Sequence, residues 1–66
     1  MKRISIDNGA SFIEPSEALK EVDMNVLMNY MDEEVMEMIS EEYAPCSDLF
    51  FLREYLDRTE CDLIIG

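Results

Sequence analysis

The alternation of apolar and polar positions changes period several times along this 66-residue chain, and each change marks an element. In "RISIDNGASFI", Ile4 and Ile6 alternate with polar residues and Asp7-Asn8-Gly9 supplies turn chemistry, which predicts a β-hairpin. A two-residue Asn8-Gly9 loop pairs Ile6 with Ser11. A three-residue loop with Gly9 left-handed pairs Ile6 with Ala10 and Ile4 with Phe12. The second register gathers four apolar residues on one face and is preferred for that reason.

The period then lengthens to that of a helix. Pro15 suits the first turn of "PSEALKEV", with Ala18, Leu19 and Val22 turned inward. Asp23 reads as an N-cap for "MNVLMNYM", a helix over 24–31 that is apolar nearly all round and so needs covering. Asp32 caps the next helix, with Glu33 and Glu34 in the first turn where the helix dipole favours acids. At 100° per residue, Val35, Met36, Met38, Ile39 and Tyr43 fall in one sector, read as core, while Glu33, Glu34, Glu37 and Glu41 gather opposite. Glu42 breaks the pattern by falling within the apolar sector. Pro45 ends this helix, and Ser47 caps "DLFFLREYLDR", with Leu49, Leu52 and Leu56 in a stripe and Phe51 and Tyr55 beside it. "CDLIIG" reads as a closing strand that joins the N-terminal hairpin. The expected fold is a single α+β domain over 1–66. An N-terminal β-hairpin and a C-terminal strand form a small sheet, with about four short helices on one face.

Composition bounds what such a fold can do. A chain this short buries only about 60% of its unfolded surface, so its core is small. Its hydrophobic content of 48% still exceeds what an acidic disordered tail carries. Cys46 and Cys61 bracket a predicted helix roughly 18 Å long, too far apart for a bridge at the ~7 Å limit. Two free thiols in structural roles are expected. No apolar h-region follows Lys2 and Arg3, and no run approaches a membrane span, so the expected compartment is the cytoplasm.

The net charge is −11, unevenly spread: residues 1–22 carry −1 and residues 23–66 carry −10. From Glu21 through Leu52 there are nine carboxylates and no base. This sign argues against direct binding to nucleic acid or to an anionic membrane. Self-repulsion on this scale also predicts that added salt stabilises the fold, read as a melting temperature that rises from low to moderate NaCl.

Catalytic chemistry finds little support. There is no histidine, no phosphate-cradling glycine loop, and no partner to activate either thiol. The acids do not follow a calcium-loop pattern, and two distant cysteines cannot complete a zinc site. No enzyme, metal or cofactor is expected.

The acidic helix face is the strongest candidate site. The i, i+4 spacing of Glu33, Glu37 and Glu41 sets carboxylates about 6 Å apart along the helix axis, comparable to phosphates along a nucleic-acid strand. Such a row either faces water or faces a cationic partner. Two local costs favour a partner: like charges at i, i+4 cost about 0.2–0.5 kcal/mol per pair, and Glu41 and Glu42 oppose the dipole at the helix C-terminus. Glu34 lies beside the row, and Asp48, Glu54 and Asp57 are candidate extensions. Met24, Met28 and Met31 are the alternative. They read either as a core stripe or as an adaptable docking or homodimer surface.

The pieces "ISIDNG-SF", "APC", "FL-EYL" and "DLIIG" together resemble a group of short, acidic, uncharacterised proteins of bacterial phages and other mobile elements. That resemblance spans most of the chain and hands on no functional residue. In size and acidity the chain also resembles the DNA-mimic inhibitors such elements encode, the anti-CRISPR and anti-restriction proteins. This second resemblance implies an inhibitor that occludes a basic nucleic-acid-binding surface of a host defence nuclease. The nearly neutral first 22 residues mean that only one side would be presented. An accessory or homo-oligomeric module docking through the methionine-rich helix is the competing expectation.

Overall fold

The computed structural model describes residues 2–66. Its elements run β1 (Ile4–Ser5), α1 (Pro15–Glu21), α2 (Met24–Met28), α3 (Glu33–Tyr43), α4 (Asp48–Thr59) and β2 (Leu63–Ile64). The fold is therefore α+β, four helices with a small two-stranded sheet.

Local chemistry sets the helix starts where the sequence placed them. Pro15 opens α1 with its fixed φ and needs no acceptor. The Asp23 carboxylate accepts from the Asn25 N–H at 3.0 Å, and the Asp32 carboxylate from the Glu34 N–H at 2.8 Å. The Ser47 hydroxyl accepts from the Phe50 N–H at 3.2 Å. Each satisfies a donor that the first helical turn leaves without an intrahelical partner. Helix α2 is shorter than expected: it ends at Met28, and 29–30 continue only as a turn.

The chain ends meet in the sheet. β1 and β2 are parallel, with Ile4 opposite Leu63 and Ser5 opposite Ile64. Leu63 and Ile65 point into the core while Ile64 faces out, the two-residue period of a strand with one face covered. On the other side of β1 the expected hairpin shrinks to one antiparallel bridge, and its register differs. Ile4 exchanges both backbone hydrogen bonds with Ile13, not Phe12.

The reason is a polar turn that the apolar pattern does not reveal. One Asp7 carboxylate oxygen accepts from the Ser11 N–H at 2.9 Å and from the Ser5 hydroxyl at 2.8 Å; the other accepts from the Ser11 hydroxyl at 2.6 Å. The buried Ser5 hydroxyl in turn accepts from the Gly9 N–H at 2.7 Å. Both Asn8 and Gly9 take positive φ, which asparagine and glycine tolerate best. Asn8 and Gly9 are thus the two central residues of a turn that the Ala10 N–H closes on the Asp7 carbonyl at 3.3 Å, and Ile4 opposite Ile13 is the register of the two-residue loop rather than of the preferred three-residue one.

These hydrogen bonds, those from Ser11 foremost, hold the Asp7 carboxyl down at a pKa of about 2. A carboxyl depressed in the folded state stabilises the fold above its unfolded pKa and stops doing so as pH falls through its folded one. The urea midpoint of Asp7→Asn should therefore lie below wild type at about pH 6, and the gap should close as pH falls from about 4 to about 2. A gap that persists at the lowest pH would show that the turn does not depend on the Asp7 charge.

The core is one cluster made by every element: Ile4, Ala18, Leu27, Met31, Ile39, Leu52, Tyr55, Leu56, Leu63 and Ile65. Helix α4 lies at its centre, against α3 on one side and α1 on another. Tyr55 is 7% exposed, and its hydroxyl accepts from the Asp32 N–H at 2.8 Å, fastening the start of α3 to α4. Tyr55→Phe keeps the packing and removes that acceptor. It should cost about 1 kcal/mol in chemical denaturation. An unchanged midpoint would mean that water replaces the hydroxyl without loss.

Two expectations about burial are corrected. Met38 and Tyr43, assigned to the core side of α3, are 48% and 38% exposed, because the small core reaches only the sector around Ile39. Cys46 is half-buried and Cys61 exposed, both as free thiols, so burial does not account for Cys61. No helix among the described residues is long and apolar enough to cross a membrane.

Candidate functional site

Helix α3 rests on the core through Ile39, with Val35 and Met36 half-buried beside it. That orientation leaves Glu33, Glu34, Glu37 and Glu41 exposed. Asp32 caps the start of α3, and its own N–H is held by the Tyr55 hydroxyl of α4.

The acids do not lie on a plain convex face. Glu33, Glu37 and Glu41 share with Ser40 the lining of an open groove of about 670 Å³. Its other lining residues are Met28 from α2, Met36 from α3 and Phe51 from α4. Carboxylates thus border a strip of thioether and aromatic surface. Sequence reasoning found the row but missed the groove, because the groove exists only where three helices meet.

The remaining candidates separate. Glu34 is exposed but does not line the groove, and Asp48 is exposed in the first turn of α4. Asp57 lies with Lys2, Leu56 and Glu60 around a separate cavity of about 160 Å³. Glu54 is half-buried and accepts from the Arg58 Nε–H at 3.1 Å, so it already has a cationic partner within the chain, shared with Glu42. Of the three methionines offered as an alternative surface, Met31 is a core residue and is withdrawn from it. Met24 is half-buried against the core, and Met28 alone is exposed, at the groove.

Glu42, which looked misplaced, has a partner. Arg58 reaches across from α4 to Glu42 and also bonds Glu54. Its guanidinium lies 5.7 Å from the Tyr43 ring centroid, and Tyr43 meets Phe50 edge-on at 5.1 Å. The hydrogen bonds Arg58 donates, to Glu42 first and then to Glu54, push its pKa further above its ordinary value. This cluster ties the C-terminal end of α3 to α4 and offsets the dipole cost of Glu42. Both ion pairs among the described residues belong to Arg58. Glu33, Glu37 and Glu41 have no basic partner there.

No group of three or more metal-ligating side chains is placed to hold an ion among the described residues.

A family model for the anti-CRISPR protein AcrIC5 matches residues 20–59, more than half of the chain. The chain belongs to the AcrIC5 family. The matched segment runs from the end of α1 through α4 and contains every residue lining the groove, while the polar turn and both strands lie outside it. No curated protein and no solved structure matches. The role that membership carries is that of an anti-CRISPR inhibitor.

Proposed function

We propose that this AcrIC5-family protein inhibits a CRISPR–Cas system by presenting α3 to a basic, nucleic-acid-binding surface of a Cas protein or complex and occluding it. Glu33, Glu37 and Glu41 form the central row, Glu34 lies beside them, and Asp48 and Asp57 are outlying acids. Glu54 contributes less, since it already pairs with Arg58, which it shares with Glu42. The mechanism needs no chemistry: opposite charges accelerate encounter, and docking excludes the nucleic acid.

The observation that carries this reading is the row itself. Three carboxylates at helical spacing stay exposed and unpaired by any base among the described residues, although the fold does place Arg58 where Glu42 and Glu54 need it. The sequence accepts repulsion along α3 that lysines would remove, and a cationic partner offsets that repulsion.

Competition tests it. The purified CRISPR effector complex is titrated with the protein, and bound labelled target DNA is followed by anisotropy. Displacement that weakens steeply as salt rises is expected. Blocked cleavage with DNA binding intact would overturn occlusion.

A further inference from the structure

We propose that the α2–α3–α4 groove takes arginine side chains of the protein partner: the guanidinium pairs with Glu33, Glu37 and Glu41, and the alkyl stem lies on Met28, Met36 and Phe51. This inference rests on the reading that α3 faces a basic protein, and says how that surface is recognised.

The groove has two properties that one occupant satisfies together. Its border is acidic, with carboxylates roughly 6 Å apart by helical rise, so an apolar peptide or a bare lipid chain would leave those charges desolvated and unpaired. Its other surface is apolar, with Met28 exposed and Met36 and Phe51 half-buried, so a fully hydrated ammonium would leave that strip uncovered. A second copy of this chain brings another −11 and sets like against like at the same border.

Arginine carries both complements. Its planar fork bonds carboxylates two-pronged, its head is weakly hydrated and stacks on aromatic rings, and its stem covers apolar surface. Lysine offers a compact, strongly hydrated charge with no fork. A phosphate-binding surface rich in arginine is therefore favoured over one equally charged with lysine.

The test uses two probes of equal charge, hexa-arginine and hexa-lysine peptides, titrated into protein carrying ¹³C-labelled methionine methyls. The arginine peptide should shift the Met28 and Met36 methyls and leave Met38, exposed but outside the groove, unmoved. The lysine peptide should bind several-fold more weakly and shift Met28 and Met36 less. Ser40→Trp fills the groove without changing any charge and should weaken binding of the arginine peptide about tenfold. Should the tryptophan perturb folding, Met28→Ser serves, since it truncates an exposed side chain.

Equal shifts at Met38, or equal affinity for the two peptides, would reduce the groove to unspecific charge attraction and overturn the proposal. Self-association by sedimentation that Ser40→Trp abolishes would also overturn it, by assigning the groove to a second copy. Neither result bears on DNA displacement from the effector complex, so the occlusion reading stands or falls separately.

Discussion

Replacing Ile39 with alanine should lower the melting temperature by about 10–30 °C, the largest stability effect of any single truncation on α3. Ile39 is fully buried and is the only α3 residue in the core's buried set. Removing its outer carbons forfeits their transfer energy and leaves a void that neighbours on α4 fill only in part, which costs about 2–5 kcal/mol. In a domain this small each kcal/mol moves the midpoint by about 4–8 °C. The loss is a large share of the total, since native domains hold only about 5–15 kcal/mol and short ones sit at the low end. The neighbouring Met38→Ala is the control. Met38 lies one position away but is 48% exposed, so its truncation should change stability by no more than about 0.5 kcal/mol. Equal effects at the two positions would mean that α3 does not sit on the core through Ile39, and the orientation of the acidic row would go with it.

That contrast also marks how far the sequence could be read. The caps were legible because they are local: Asp23, Asp32 and Ser47 each bond a donor two or three residues on, and short-range spacing suffices to find them. The return of the last strand to the first was legible from apolar patterning at both ends. The hairpin register was not. Alternation favoured Ile4 opposite Phe12, but the turn closes on Asn8 and Gly9 alone, braced by hydrogen bonds from Ser5 and Ser11 to Asp7, and this two-residue register brings Ile13 there instead. Helical periodicity gave the right centre for the α3 core face and too wide a sector, because how far a core extends depends on the volume around it. Glu42 shows the same limit from the other side. Its partner Arg58 lies 16 residues away, and only the packing of α3 on α4 brings them together. The groove is the extreme case, three helices contributing to a surface none of them displays alone.

The double replacement Glu37→Lys, Glu41→Lys should cut inhibition on the order of tenfold or more at low salt while leaving the protein slightly more stable. The two effects have opposite signs, and that opposition gives the experiment its force. For folding, Glu33 and the new lysine at position 37 become an attractive i, i+4 pair in place of a repulsive one, worth about 0.2–0.5 kcal/mol. Positions 37 and 41 repel as before with reversed sign. The lysine at position 41 now sits in the last turn, where the dipole favours a cation by about 0.3–1 kcal/mol. Two charge units per replacement also relieve part of the −11 self-repulsion. For binding, the same changes place two cations against a basic partner, slowing encounter and flattening its salt dependence. A matched variant, Glu17→Lys with Glu21→Lys, alters net charge identically on exposed positions of α1 that do not line the groove. It should keep most of the inhibition. If the α1 variant loses as much as the α3 variant, only bulk charge matters and no ordered row is recognised. If the α3 variant melts as predicted yet inhibits fully, α3 does not meet the partner, and the occlusion reading fails with the fold intact.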